Sequence, residues 1–214
     1  MNVGQAKAAL SRYGFDSGDP LNAWLEAAKQ EFLAAYDWPY LQVTVDPFPV
    51  AVGDNLLDMP TDYFKLHALR YKGDPTTGAG PGRKLKYKDL VGFDRDVDNP
   101  DATGAPEWYI PRGESQIQIY PVPSIATNLK LVYQQDLADI NALSDGDPMP
   151  GPIATHYIIV IGGAYIGLQA ESEEDRSQTA QAMFESGIAR EVRRYKGQID
   201  EARQVVDVMG YGNH

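Results

Sequence analysis

Cysteine is absent from all 214 residues, which excludes disulfides, thiolate nucleophiles and sulfur-ligated metals and suits folding in a reducing cytosol. Positive charge is scarce: 19 Lys and Arg stand against 30 Asp and Glu, a net charge of −11. Affinity for nucleic acid comes mostly from neutralising phosphates with Lys and Arg, so this balance argues against a general nucleic-acid binder. The 3 histidines, His67, His156 and His214, fall in a strand, an apolar helix and the terminus, and offer no metal-ligand spacing. Residues 1–11 lack the basic and then apolar regions of an export signal. One apolar run, Ile153 to Leu168, is too short and too rich in glycine to span about 30 Å of hydrocarbon comfortably. A buried central helix is expected there, with no membrane contact, its glycines letting a neighbouring helix or subunit approach closely.

Periodicity supplies the next layer. Val3 to Tyr13 reads as a short amphipathic helix broken at Gly14 to Gly18. Asp19 then offers a capping oxygen and Pro20 fits a first helical position. Leu21, Trp24, Leu25, Ala28, Phe32, Ala35 and Tyr36 recur at three and four, one apolar stripe that ends at Trp38-Pro39, since the residue before a proline disfavours helical geometry. From Leu41 the period drops to two, with Leu41, Val43 and Val45 alternating with Gln42 and Thr44 in a strand expected to stop at Pro47 and Pro49. Further strands are expected at 55–59, 64–71, 107–112, 116–120 and 129–133, the last two paired antiparallel. A loop should cover Gly73 to Gly82 and a short helix Lys86 to Phe93. Glu173 to about Gln204 is a final long helix with Met183, Phe184, Ile188, Val192, Tyr195 and Ile199 along one side. Its Arg190, Arg193, Arg194 and Lys196 are expected to pair with Glu185, Glu191 and Asp200. The expected class is α+β: a helical bundle from the amino- and carboxy-terminal helices, residues 1–40 and 136–204, an inserted small antiparallel β module, residues 41–135, and a tail, residues 205–214.

Reactive constellations are weak. Asp94-Arg95-Asp96-Val97-Asp98-Asn99 starts like a calcium loop, but Asn99 stands where glycine belongs and Ala105 where the bidentate glutamate belongs. Gly78-Ala79-Gly80-Pro81-Gly82-Arg83-Lys84 lacks a donor at Pro81 and has no Ser or Thr after the lysine, so it is not a phosphate cradle. Asp145 and Asp147 sit in a turn where aspartate has a structural use. No catalytic residue, no metal and no cofactor is expected.

Four aromatic and proline stretches carry more information. Tyr36-Asp37-Trp38-Pro39-Tyr40, Asp58-Met59-Pro60-Thr61-Asp62-Tyr63-Phe64, Gly104-Ala105-Pro106-Glu107-Trp108-Tyr109 and Ile119-Tyr120-Pro121-Val122-Pro123 punctuate a β segment between helical ends. Proline fixes φ and removes a donor, so each stretch ends or edges a strand at a defined place. In this order, over roughly Leu21 to Tyr195, the chain resembles the head-to-tail adaptor (connector, neck ring) proteins of tailed bacteriophages. The resemblance implies a structural protein of the virion neck, assembled in the host cytoplasm. Twelve copies would form a ring that binds the portal protein on one face and a tail or nozzle protein on the other, while genome DNA passes without specific binding.

Two segments are candidate contacts within that reading. Val205, Val206, Val208, Met209 and Tyr211 put apolar groups beyond any obvious core helix, as a portal-docking tail would. Arg83, Lys84, Lys86 and Lys88 make the Gly73 to Lys88 loop basic and suit it to the lumen or to a neighbouring copy. Other readings are a different neck component, a stopper or tail terminator, or a cytoplasmic small-ligand module with Trp108, Tyr109 and Tyr120 lining a pocket.

Overall fold

The computed structural model describes the backbone of residues 1–73, 82–113 and 115–209, with side chains through residue 197. The class is α+β, with antiparallel pairing dominant in the sheets. The helices are α1 (Val3–Leu10), α2 (Leu21–Ala35), α3 (Leu90–Asp96), α4 (Ile153–Ala170) and α5 (Glu174–Met209). The strands are β1 (Gln42–Val50), β2 (Leu56–Asp58), β3 (Tyr63–Gly73), β4 (Arg83–Lys84), β5 (Lys86–Tyr87), β6 (Thr103–Gly104), β7 (Trp108–Pro111), β8 (Gln116–Tyr120), β9 (Val122–Pro123) and β10 (Thr127–Gln135). Two compact units result, one of Met1–Pro39 with Leu137–His214, the other of Tyr40–Asp136.

The first unit is helical and organised around α4. Leu25 and Ala28 of α2 meet Ile159, Val160, Ala164 and Leu168 of α4 in one buried cluster with Val3, Ala6 and Leu10 of α1. Glycine sets how near the helices come. A Cβ on Gly162 would lie 2.8 Å from Ala28 Cβ and from the Phe184 ring of α5, and one on Gly167 would lie 2.7 Å from the rings of Phe15 and Trp24. These glycines therefore serve packing inside the chain, not an approach by another subunit. By length and composition α4 could cross a bilayer, but 61% of it is buried within the protein.

The helix ends follow their sequences with small departures. Asn2 caps α1 and Gln5 answers it, a reciprocal pair that satisfies two otherwise orphaned donors. Asp19 does not cap α2; its Oδ2 instead accepts from the Asp16 N–H at 2.7 Å, and Pro20 takes the capping position. In α2 the buried face includes Leu33 and, unexpectedly, Lys29, whereas Ala35 is exposed. Lys29 is 0% exposed. Its Nζ lies 2.8 Å from Glu26 Oε1 and donates to the carbonyls of Leu137 at 2.9 Å and Ala138 at 3.2 Å. Glu26 in turn accepts from the Ile140 N–H at 2.8 Å and from Gln30 Nε2 at 2.9 Å. Trp38, fully buried, stacks on Phe32 at 4.3 Å and donates its indole N–H to the Phe32 carbonyl at 2.9 Å.

The second unit is built on two four-stranded sheets, ordered β1-β10-β3-β4 and β2-β8-β7-β5, with the pair β6-β9 beside them, more sheet than a small module. Leu69, Leu129, Leu131 and Tyr133 of the first and Leu57, Ile117 and Ile119 of the second share one core cluster. β8 and β10 do not pair with one another. β10 runs antiparallel between β1 and β3, while β8 lies between β2 and β7. The segment joining them is diverted into β9, whose partner is β6, and Pro121 and Pro123 withhold donors that a tight hairpin would use.

Pro47 and Pro49 do not stop β1, which runs on to Val50 through an irregularity between Val45 and Phe48. An edge strand tolerates proline because its outward side needs no N–H, and β1 is an edge. The basic segment after Gly82 is likewise not all loop. Leu85 is 1% exposed and anchors it, leaving Lys84 and Lys86 exposed on either side, and the helix begins only at Leu90, capped by Asp89.

Replacing Lys29 with methionine leaves Glu26 and two carbonyls without their cation, and stability should fall by about 3–5 kcal/mol, read as a lower urea midpoint at unchanged slope. The glycines give a paired test. Gly162→Ala should destabilise, since overpacking costs about 1–3 kcal/mol against about 1 kcal/mol of regained helix propensity. Gly197→Ala, with nothing within 4 Å of the added carbon, should stabilise by about 0.4–1 kcal/mol.

Candidate docking surfaces

The four basic residues do not converge on one point. Arg83 and Lys84 form β4 against Tyr71 and Arg70 of β3, and Lys86 opens β5, which runs parallel to β7. Arg83 is tied down, its guanidinium 3.1 Å from Glu107 Oε1 and donating to the Pro106 carbonyl at 2.9 Å. Lys88 Nζ sits 4.0 Å from the centre of the Trp108 ring and 3.1 Å from Asp96 Oδ2. Hydrogen bonds from Arg95 and then Lys88 hold the Asp96 carboxyl well below the ordinary carboxylate range, at about 2. Two of the four cations are thus internally neutralised, and Lys84 and Lys86 remain as exposed charge.

Trp108 and Tyr120, cross-strand partners, come together in a self-covering cluster, whereas Tyr109, the next residue of β7, falls on the opposite face and packs against the sheet core. Trp108 stacks on Tyr120 at 5.6 Å with the planes 20° apart, Phe93 meets Tyr120 edge-on at 5.2 Å, and Tyr87 meets Tyr109 edge-on at 5.8 Å. Each of these rings thus spends part of its surface on a neighbouring side chain.

At the carboxy terminus the helix is longer than expected. α5 has 36 residues, about 54 Å at 1.5 Å per residue, and its backbone stays helical through Met209. Val205, Val206, Val208 and Met209 therefore lie on a helix and not on an irregular tail. Their side chains, and all of Tyr211, lie outside the described residues. The last ring contact of the described side chains is Tyr195 edge-on to Trp38 at 6.1 Å, and Arg194 pairs with Glu191 at 2.9 Å.

Periodicity did not reveal one surface on the helical unit. Ile153 and Tyr157 are 80% and 55% exposed despite lying in the apolar run expected to be a buried helix, and Met183, on the apolar side of α5, is 45% exposed. A helix apolar on every side carries no mark of which side is covered. On the same helix His156 is 4% exposed, with Nε2 2.9 Å from the Gly151 carbonyl. Burial pushes its pKa below the ordinary imidazole value.

What the described surface offers for contact is the exposed apolar side chains of α4 and α5, Ile153, Tyr157 and Met183, since the ring stacks and two of the four cations are engaged within the chain. The family model of the SU10 adaptor protein matches residues 1–208, and the chain belongs to that family of phage head-to-tail adaptors. The family is structural and is not a family of enzymes, and membership implies a virion component at the head–tail junction that meets other capsid or tail proteins. No curated protein matches the chain.

Because the folded state holds His156 below its unfolded pKa, its neutral form contributes stability that is fully present above about pH 6.5 and is lost as pH falls beneath that value. Lowering the pH from about 7.5 to about 5.5 should therefore reduce the urea midpoint more in the wild type than in His156→Gln. Equal slopes would show that the buried imidazole carries none of the acid sensitivity.

Proposed function

We propose that copies of this chain close into a ring, twelve in number as the adaptor resemblance implies, which joins the capsid portal to a tail or nozzle protein and lets the genome through. Membership of the adaptor family over residues 1–208 is the observation that carries this reading. The mechanism is recognition and geometry, with no bond made or broken. The amino- and carboxy-terminal helices act as one bundle that holds the sheet unit, and the net charge of −11 supports passage without adhesion. Only carboxylates within about 8 Å of the DNA act on it at physiological salt, so the charge favours a weakly repelling wall at most. Assembly of the ring takes place in the host cytoplasm.

Within this reading the carboxy-terminal end of α5 docks on the portal. Helical backbone through Met209 puts Val205, Val208 and Met209 at the three- and four-residue spacing of one helix face, the pattern of an amphipathic helix laid in a groove. Deleting residues 205–214 should abolish co-sedimentation with the cognate portal while the helical circular-dichroism signal of the remainder persists. Undiminished co-sedimentation would place the portal contact elsewhere. Negative-stain images of the full chain with portal should show a ring, and a persistent single copy in every context would rule the ring out.

A further inference from the structure

Two exposed patches, one on each compact unit, complement one another. The first is a groove of about 930 Å³ between α4 and α5, lined by Ile158, Ile161, Tyr157, Met183 and Arg190 among others. Ile158 and Ile161 are buried, 2% and 5% exposed, so they form its floor, while Tyr157 and Met183 stand in water. Large apolar side chains left exposed on adjoining helices forfeit hydrophobic free energy that a partner would recover. At one end the charge is unmatched, because Arg190 is exposed and has no ion pair among the described side chains, whereas Arg194 already holds Glu191.

The second patch is the tip of α3. Val91 is 78% and Leu90 40% exposed, with Tyr87 just before them at 62%. One helical turn on, Asp94 is exposed and has no ion pair among the described side chains, whereas Asp96 is held by Arg95 and Lys88. An apolar knob followed by a bare carboxylate faces the requirements of an apolar groove followed by a bare guanidinium. Pairing α3 with α3 would set Asp94 against Asp94.

The geometry points to a head-to-tail contact in which Leu90 and Val91 of one copy seat in the α4–α5 groove of the next, with Asp94 meeting Arg190. The occupant of the groove is a second copy of this chain. Because the contact uses two different surfaces, a growing chain of copies keeps one free patch of each kind, one at each end, and addition continues until rotation closes the ring. Opposed charge fixes the register, and like charge disfavours α3 meeting α3; the groove also carries Asp175, so trapping has to separate this contact from a groove-to-groove one. The inference rests on the ring reading above and gives that ring its joint.

A chain without cysteine allows a clean test by disulfide trapping. Three full-length proteins suffice: Val91→Cys, Met183→Cys and the double variant, each oxidised as purified protein and within assembled particles, then resolved without reductant. Head-to-tail contact predicts that neither single variant cross-links to itself, that an equal mixture of the two gives dimers and nothing larger, and that the double variant gives a ladder of multimers. Dimers from Met183→Cys alone would overturn the proposal in favour of a twofold groove-to-groove contact, where Arg190 would approach the partner's acidic groove end at Asp175. No cross-link in particles that still show rings would overturn this joint and leave the ring standing. No cross-link together with no rings would remove both. Arg190→Glu should weaken wild-type assembly and Asp94→Lys should restore it in the same chain; failure of that rescue, with both variants folded by circular dichroism, also counts against the contact.

Discussion

Lys29 with Glu26 is the interaction on which the helical unit depends. The chain leaves that unit at Pro39 and returns at Leu137, and the returning backbone has to be caught. The ammonium of Lys29 takes the carbonyls of Leu137 and Ala138, and the Glu26 carboxylate takes the Ile140 N–H, so one ion pair on α2 satisfies three backbone groups of the re-entering strand of chain. Burying the pair costs desolvation, which Coulomb attraction alone rarely recovers. The added hydrogen bonds offset that cost and give the pair a positional role, since a hydrophobic pair of equal volume would not select a backbone register.

Glycine in α4 makes the complementary contribution. With α2 against Gly162 and Gly163 and α5 against Gly162, the interhelical distance is set by backbone and Cβ contact, and van der Waals contact increases accordingly. The same residues that weaken an isolated helix allow this one to be a hub. The apolar surplus of the run, Ile153 and Tyr157, is what remains after α1, α2 and α5 have taken their sides.

Much of the architecture was legible in the residues, for identifiable reasons. The switch from a period of three and four to a period of two at Leu41 marks, to within a residue, where the sheet begins; the helix ends earlier than the Trp38-Pro39 pair suggested, at Ala35, and Pro39–Leu41 forms a short 3-10 turn before β1 starts at Gln42. Gln116 to Tyr120 was readable as a strand to the residue. Its partner was not, since pairing depends on what the connecting segment does, and the diversion of Val122-Pro123 into a third small sheet leaves no period to detect. Pro47 and Pro49 misled for the same reason: a proline's effect on a strand depends on whether its free side faces another strand. Lys29 was invisible as a core residue because a single lysine on a helix reads as surface, and its acceptors are backbone carbonyls more than a hundred residues away. The exposed rim of the α4–α5 groove was hidden by uniform apolarity, whereas the basic character of residues 83–88 was plain and only its tethering to Glu107, Trp108 and Asp96 was not.

The division of the helical unit between both chain ends constrains how the protein is made. During synthesis α1 and α2 leave the ribosome well before α4, with Leu25, Ala28 and Phe32 exposed, and α4 is complete only when Ala170 emerges. At about 5–20 residues per second that gap lasts roughly 7–27 s, long enough for the intervening sheet unit to fold on its own schedule. The nascent chain therefore passes through a stage in which a finished β domain trails an unmatched greasy hairpin of helices. Protection of that hairpin, by chaperone or by speed, is a demand that the connectivity places on the host cell.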